Sequence, residues 1–202
     1  SHASSKEKSR MRLPENTVIY HGSIGSSHGI ELLVDSMYLW PSNSNLVLKG
    51  KVKQEYRAQL VEYAKQNGVN EKLKFVDYGV YSEEVLAYLS TATLAWTFLD
   101  GGASDNWLFS AFASNKRFEA MALGVPQVTD SNPGVEELVE QNGIGLCVQG
   151  DSPHAVGLAV AKLLNDAGLR STMSQRAREL HVQEFNYEKQ FTPVITKIEE
   201  FL

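Results

Sequence analysis

Lys116 and Arg117 sit at the head of a stretch, SNKRFEAMALGVPQVTD, that reads as a short helix running into a strand. Ser114 or Asn115 can cap the helix, Phe118, Met121 and Ala122 recur at helical spacing, and Gly124 is a stop signal. A helix N-terminus carries partial positive charge, so exposed cations in its first turn are mismatched by about 0.3–1 kcal/mol each. A bound anion would remove that mismatch, because free N–H groups and an added ammonium both suit a phosphate. Ser114, Asn115 and Lys116 are therefore candidate phosphate ligands; the alternative is that the two cations are simply solvated. Glu119, three residues beyond Lys116, could accept hydrogen bonds from the vicinal hydroxyls of a ribose, or be an exposed helix acid.

A second candidate follows the first apolar run, where Gly22, Gly25 and Gly29 punctuate HGSIGSSHG. The spacing G-x-x-G-x-x-x-G is not that of a dinucleotide fingerprint, and Lys49 stands where a ribose-binding acid would be needed, which argues against a nicotinamide dehydrogenase. What remains is a flexible turn, or a loop offering the backbone of Gly22 and Ser23 to a phosphate. His21 and His28 flank it without a Cys, His or acid cluster at metal spacing, so no metal is expected. Ser23, Ser26 and Ser27 lack a nucleophile elbow.

The 202 residues, 43% of them hydrophobic, suffice for one sizeable core. Net charge is −5; the first fourteen residues hold four basic residues against one acid, which leaves −8 for the rest. So acidic a body argues against nucleic acid as a partner and confines any bound anion to a local pocket. Residues 1–14 are expected to be a disordered tag remnant or linker, with the domain running from 15 to 202. The single cysteine, Cys147, permits no internal disulfide and fits a reducing, cytoplasmic setting. No secretory signal and no membrane-spanning apolar run is present.

The elements that must position these residues alternate. TVIYH, NLVLK, KLKFV, TLAWTFL, VPQVT and IGLCV are apolar runs separated by helical stretches, including SEEVLAYLS with Ser82 as cap and SPHAVGLAVAKLLND with Ser152 as cap. This is an α/β pattern: a doubly wound, parallel, six-stranded Rossmann-like sheet, for which the order 3-2-1-4-5-6 is expected. Two further helices close the chain. Ligands in such sheets bind beyond the carboxyl ends of the strands, at the switch between the first and fourth. The long loop LDGGASDNWLFSAFAS leaves the fourth strand there, and Trp107, Phe109 and Phe112 are expected to fold it onto the body. Lys49, Lys51 and Lys53 after the second strand read as solvated.

The stretch from Ser114 to Val148 resembles the signature region of group-one glycosyltransferases, retaining enzymes of the GT-B fold. Asn115, Lys116, Phe118, Glu119, Met121, Ala122, Gly124, Pro126, Gly134, Glu137, Leu138, Gly145 and Leu146 match, and the likeness extends over residues 16–202. It implies that the chain is the C-terminal, donor-binding half of a two-domain enzyme that takes a nucleotide sugar, UDP-linked by preference. An N-terminal acceptor domain would supply the rest and any membrane contact. By the same resemblance, Glu119 would hold the ribose and the loop around Tyr78, Val80 and Tyr81 would border the base. The diphosphate would lie among Gly22, Ser23, Ser114, Asn115 and Lys116, with both cations facing it. Gly101 and Gly102 would face the donor sugar, and the scheme requires no cofactor or metal. No catalytic residue is assigned.

The family's first motif acid falls on Ala111, and its basic pair falls on Ser23 and His28, for which Lys49, Lys51 and Lys53 could partly substitute if they are not simply solvated. Two rival readings follow: a sugar-nucleotide epimerase of similar fold, or a degenerate binding or scaffold module.

Overall fold

The computed structural model describes residues 12–76, 83–103, 105–149 and 152–201. Its elements are β1 (Thr17–His21), α1 (Ile30–Ser36), β2 (Asn45–Lys49), α2 (Gln54–Gln66), β3 (Leu73–Val76), α3 (Glu83–Leu89) and β4 (Leu94–Trp96). They continue as α4 (Asp105–Leu108), α5 (Asn115–Leu123), β5 (Gln127–Asp130), β6 (Gly145–Val148), α6 (Pro153–Asn165), α7 (Ala167–Gln183) and α8 (Tyr187–Glu199). The expected cap at Ser82 lies outside the described residues, whereas Ser152 does cap α6 through Ala155 N–H at 3.1 Å.

All strand pairs are parallel, in the order β3-β2-β1-β4-β5-β6. Parallel strands are covered on both faces, which is why TVIYH is buried at every position rather than alternating. Val18 and Tyr20 point into the larger core with Ile30 and Leu33 of α1, Leu60 of α2 and Val156 and Val160 of α6. Ile19, between them, points the other way, to Leu89 of α3 and Ala120 of α5. A third cluster sets Met121 of α5 against Ala177 and Leu180 of α7.

The structure adjusts three sequence readings. Leu13 and Pro14, placed in the leading segment, are tied to the body: Leu13 N–H donates to Thr91 Oγ1 (3.2 Å), and Thr17 Oγ1 donates to Pro14 O (2.7 Å). The helical stretch expected between VPQVT and IGLCV is a π-helical segment, Glu136–Gln141. Finally, β4 stops at Trp96, because Leu99 N–H turns to the Asp130 carboxylate rather than to a neighbouring backbone.

Helix α8 stands apart from every core. None of its residues is buried, and Tyr187, Phe191, Val194, Ile195 and Ile198 are exposed along it, with Pro193 in its middle.

Candidate functional site at the carboxyl edge of the sheet

Strands β1 and β4 diverge at the edge where His21 and Trp96 end, and α5 begins beside that split. The Lys116 side chain crosses the end of β1 there. A Cβ on Gly22 would lie 3.0 Å from Lys116 Cε, and Gly22 has φ +120°, so a glycine is what lets the stem pass. The ammonium rests 5.5 Å from the Tyr20 ring centroid and has no ion-pair partner among the described residues. Burial lowers its pKa, an effect that Glu119 opposes and Arg117 reinforces. Ser114 occupies the cap position, yet its hydroxyl makes no capping hydrogen bond. The first amides of α5 are left without that acceptor. Ser114, Asn115 and Lys116 share one cavity of about 340 Å³ with Leu99, Trp107 and Ser110.

One turn further, Glu119 meets a residue that sequence reasoning considered only as a metal ligand. His21 Nε2 lies 2.6 Å from Glu119 Oε2, with His21 buried and Glu119 half-buried. That hydrogen bond is the main reason the Glu119 pKa falls below the ordinary carboxylate value; His21 and Lys116 charges add to it, against burial. The carboxylate is thus held ionised and oriented, with Oε1, unpaired among the described residues, left for a further donor. His21 Nδ1 is buried without a partner among the described residues.

Arg117 corrects the reading that both cations face a phosphate or solvent. It is fully buried and points inward. Nη2 meets Asp130 Oδ1 at 2.6 Å, while Nη1 donates to the carbonyls of Ser110 (3.1 Å) and Ala111 (3.3 Å). Asp130 Oδ1 also accepts from Leu99 N–H (2.8 Å) and Thr129 Oγ1 (3.0 Å), and Gln127 Nε2 donates to Arg117 O (2.9 Å). A buried ion pair needs such added hydrogen bonds to offset its desolvation. Arg117 therefore braces the long loop, β4 and β5 against α5, and Lys116 alone of the two cations serves the cavity.

The remaining expected residues divide. Gly101 and Gly102 line an adjoining cavity of about 280 Å³ with Asp100, Asp130, Asn132 and Gln149, and Leu99 borders both cavities. Ser23, grouped by sequence with the Lys116 set, lines a different cavity with Lys51 and Lys53. Tyr78, Val80 and Tyr81 lie outside the described residues. Lys49 is not solvated but fully buried, with Nζ 2.8 Å from Glu84 Oε1 and over the Tyr88 ring. Trp107 does fold onto the body, edge-on to His28 at 5.1 Å, whereas Phe109 and Phe112 are exposed. His28, buried between Tyr20 and Trp107, has its pKa lowered to about 4 by burial and by Lys116, so it is neutral at ordinary pH. Ala111 is buried against Gly134 in an apolar cluster. Burial pushes the Cys147 thiol up to about 12, which keeps it protonated at ordinary pH.

Against this geometry the comparisons with known proteins agree. The family model for glycosyl transferases group 1 matches residues 2–180, and the chain belongs to that family. D-inositol 3-phosphate glycosyltransferase of Corynebacterium glutamicum (strain R) is 32% identical over 124 residues, which are 61% of this chain and 27% of that relative. Among solved structures, Anabaena HepE in complex with UDP superposes with a TM-score of 0.77 at 18% identity, over 99% of this chain and 54% of HepE. The C-terminal domain of a group 1 family protein from Francisella tularensis superposes with a TM-score of 0.72 at 14% identity, over 93% of this chain and 95% of that domain. The chain thus has the Rossmann-like fold of one GT-B half and spans about a quarter of its curated relative. No helix among the described residues is long and apolar enough to cross a membrane. The matches are to glycosyltransferases, so the epimerase reading gains no support.

Proposed function

We propose that this chain is the donor-binding half of a glycosyltransferase that moves a hexosyl group from a UDP-sugar to a glycan or lipid acceptor. The observation that carries the reading is the pairing of two groups one helical turn apart. Lys116 offers an ammonium across the end of β1, and Glu119 offers a carboxylate oriented by His21. These suit, respectively, a diphosphate and a ribose diol. Gly22, Ser114 and Asn115 would complete the phosphate site, Gly101 and Gly102 would border the sugar, and the loop of Tyr78, Val80 and Tyr81 would border the base. UDP is favoured as the nucleotide because HepE, of like fold, was solved with UDP and with UDP-glucose.

Charge grows on the diphosphate as the glycosidic bond to the leaving group breaks. Fixed N–H donors and Lys116 would stabilise it, typically by about 2.7–4 kcal/mol for one well-placed donor. The scheme invokes no metal ion. Acceptor groups and any base belong to another domain of the parent protein, so this chain binds nucleotide and does not turn over alone. Any membrane contact would come through that domain too.

Calorimetric titration with UDP, GDP and ADP tests the reading: UDP should bind most tightly, and absence of binding even at millimolar nucleotide would reject it. The small, buried Ala111 where the family carries its first acid favours a second reading, a binding module that has lost turnover. A product assay on the parent protein separates the two, since only the transferase releases UDP while lengthening an acceptor.

A further inference from the structure

A separate cavity lies on the other side of Tyr20. It is formed where the exits of β1 and β2 are pressed together. A Cβ on Gly50 would fall 1.7 Å from Gly22 O, so only a glycine permits that approach. Beyond it, Ile24 N–H donates to Lys51 O (2.8 Å), and Ile24 pairs with Val52 in a parallel bridge. This fixes Ser23–Ser26 alongside Lys51–Lys53 in the lining of a cavity of about 530 Å³, with Tyr56 near the start of α2 completing its wall.

The chemistry of the wall has one sign. Its polar side chains are Ser23, Ser26, Lys51, Lys53 and Tyr56, and none is a carboxylate. Both lysines are exposed, and neither forms an ion pair among the described residues. Of the acids beside the wall, Glu31 accepts from the Tyr56 hydroxyl at 2.6 Å, and Glu55 lies in the first turn of α2 without lining the cavity. Lys53 is the cap residue of the thirteen-residue α2 and makes no side-chain cap bond, so free first-turn amides add partial positive charge to the two ammoniums. In a body whose net charge beyond residue 14 is −8, two lysines lining one cavity with no ion-pair partner among the described residues form a local anion trap.

We propose that this cavity binds a small phosphate monoester, independently of the nucleotide. A dianionic phosphate matches two ammoniums and two hydroxyl donors, and the cavity leaves space for the organic group that carries it. A concave wall fits a soluble ester better than a flat membrane surface. Tyr20 separates the two sites: its ring faces Lys116, and its hydroxyl donates to Ser23 O at 2.5 Å.

The test is a ³¹P NMR and calorimetric titration of the intact chain with glycerol phosphate, with neutral glycerol as control and no nucleotide present. Saturable binding is expected that weakens by roughly tenfold or more in Lys51→Gln/Lys53→Gln and survives in Lys116→Met. Binding lost in Lys116→Met and kept in the double variant would place the phosphate in the other cavity and overturn the proposal. No saturable binding, or equal binding of glycerol, would overturn it as well. Because nucleotide is absent, the outcome is independent of whether UDP binds.

Discussion

Replacing Lys116 by methionine keeps the stem that passes over Gly22 and removes only the charge. At an effective dielectric constant near 20, a unit charge about 4 Å from a phosphate charge is worth roughly 4 kcal/mol before desolvation. The net value of a hydrogen bond to a charged group is about 1.5–3 kcal/mol, which corresponds to roughly a 10- to 150-fold loss of affinity. That loss should fall on UDP and spare uridine, which has no phosphate. The free protein should barely notice the change: the variant loses a cation–π contact to Tyr20 of about 0.5–1 kcal/mol but no longer holds a half-buried ammonium that forms no direct ion pair among the described residues. Calorimetry with UDP and uridine, alongside chemical denaturation of both proteins, reads all three quantities. Equal losses for the two ligands would show that Lys116 does not meet phosphate, and unaltered UDP affinity would remove the anion site altogether.

Glu119→Gln, which retains a hydrogen-bonding group for His21, should weaken UDP by roughly tenfold while changing unfolding free energy by less than about 1 kcal/mol; calorimetry with 2′-deoxy-UDP should show a smaller penalty if the ribose diol is the partner. Arg117→Met leaves Asp130 buried and uncompensated, so urea denaturation should report a loss of about 3–5 kcal/mol; a loss below about 1 kcal/mol would refute the bracing role. His28 has a folded pKa near 4 against 6.5 unfolded, so below pH 6.5 the unfolded chain binds the extra proton and stability falls with falling pH. The loss should reach up to about 3 kcal/mol by pH 4, and His28→Phe should flatten that limb of a stability–pH curve.

The sheet was legible because its signal is repeated: six apolar runs between amphipathic stretches leave few topologies open. The site was legible only in part, and α5 shows why. Counting apolar residues gave Phe118, Met121 and Ala122 as its inner face, whereas the buried face is Arg117, Ala120 and Met121. Hydrophobic periodicity cannot see an arginine whose burial depends on Asp130, thirteen residues away on another element. Lys49 escaped for the same reason, since its partner Glu84 lies on α3. The His21–Glu119 pair spans 98 residues, a separation no local motif encodes. One cue was available: His21 and Lys49 each close a strand directly after a buried run, VIY and LVL, a place where a polar side chain must find a partner.

Helix α8 has a consequence for the molecule in isolation. Thirteen residues interrupted by a proline and lacking any buried side chain sit at the margin where a peptide helix persists in water. Backbone amides from Tyr187 to Glu199 should therefore trade their hydrogens for deuterium almost as freely as a short peptide would, while those of α6 and α7 resist for far longer. Covering Phe191, Ile195 and Ile198 with any apolar surface would reverse this, making the final helix a built-in gauge of whether its outer face is occupied.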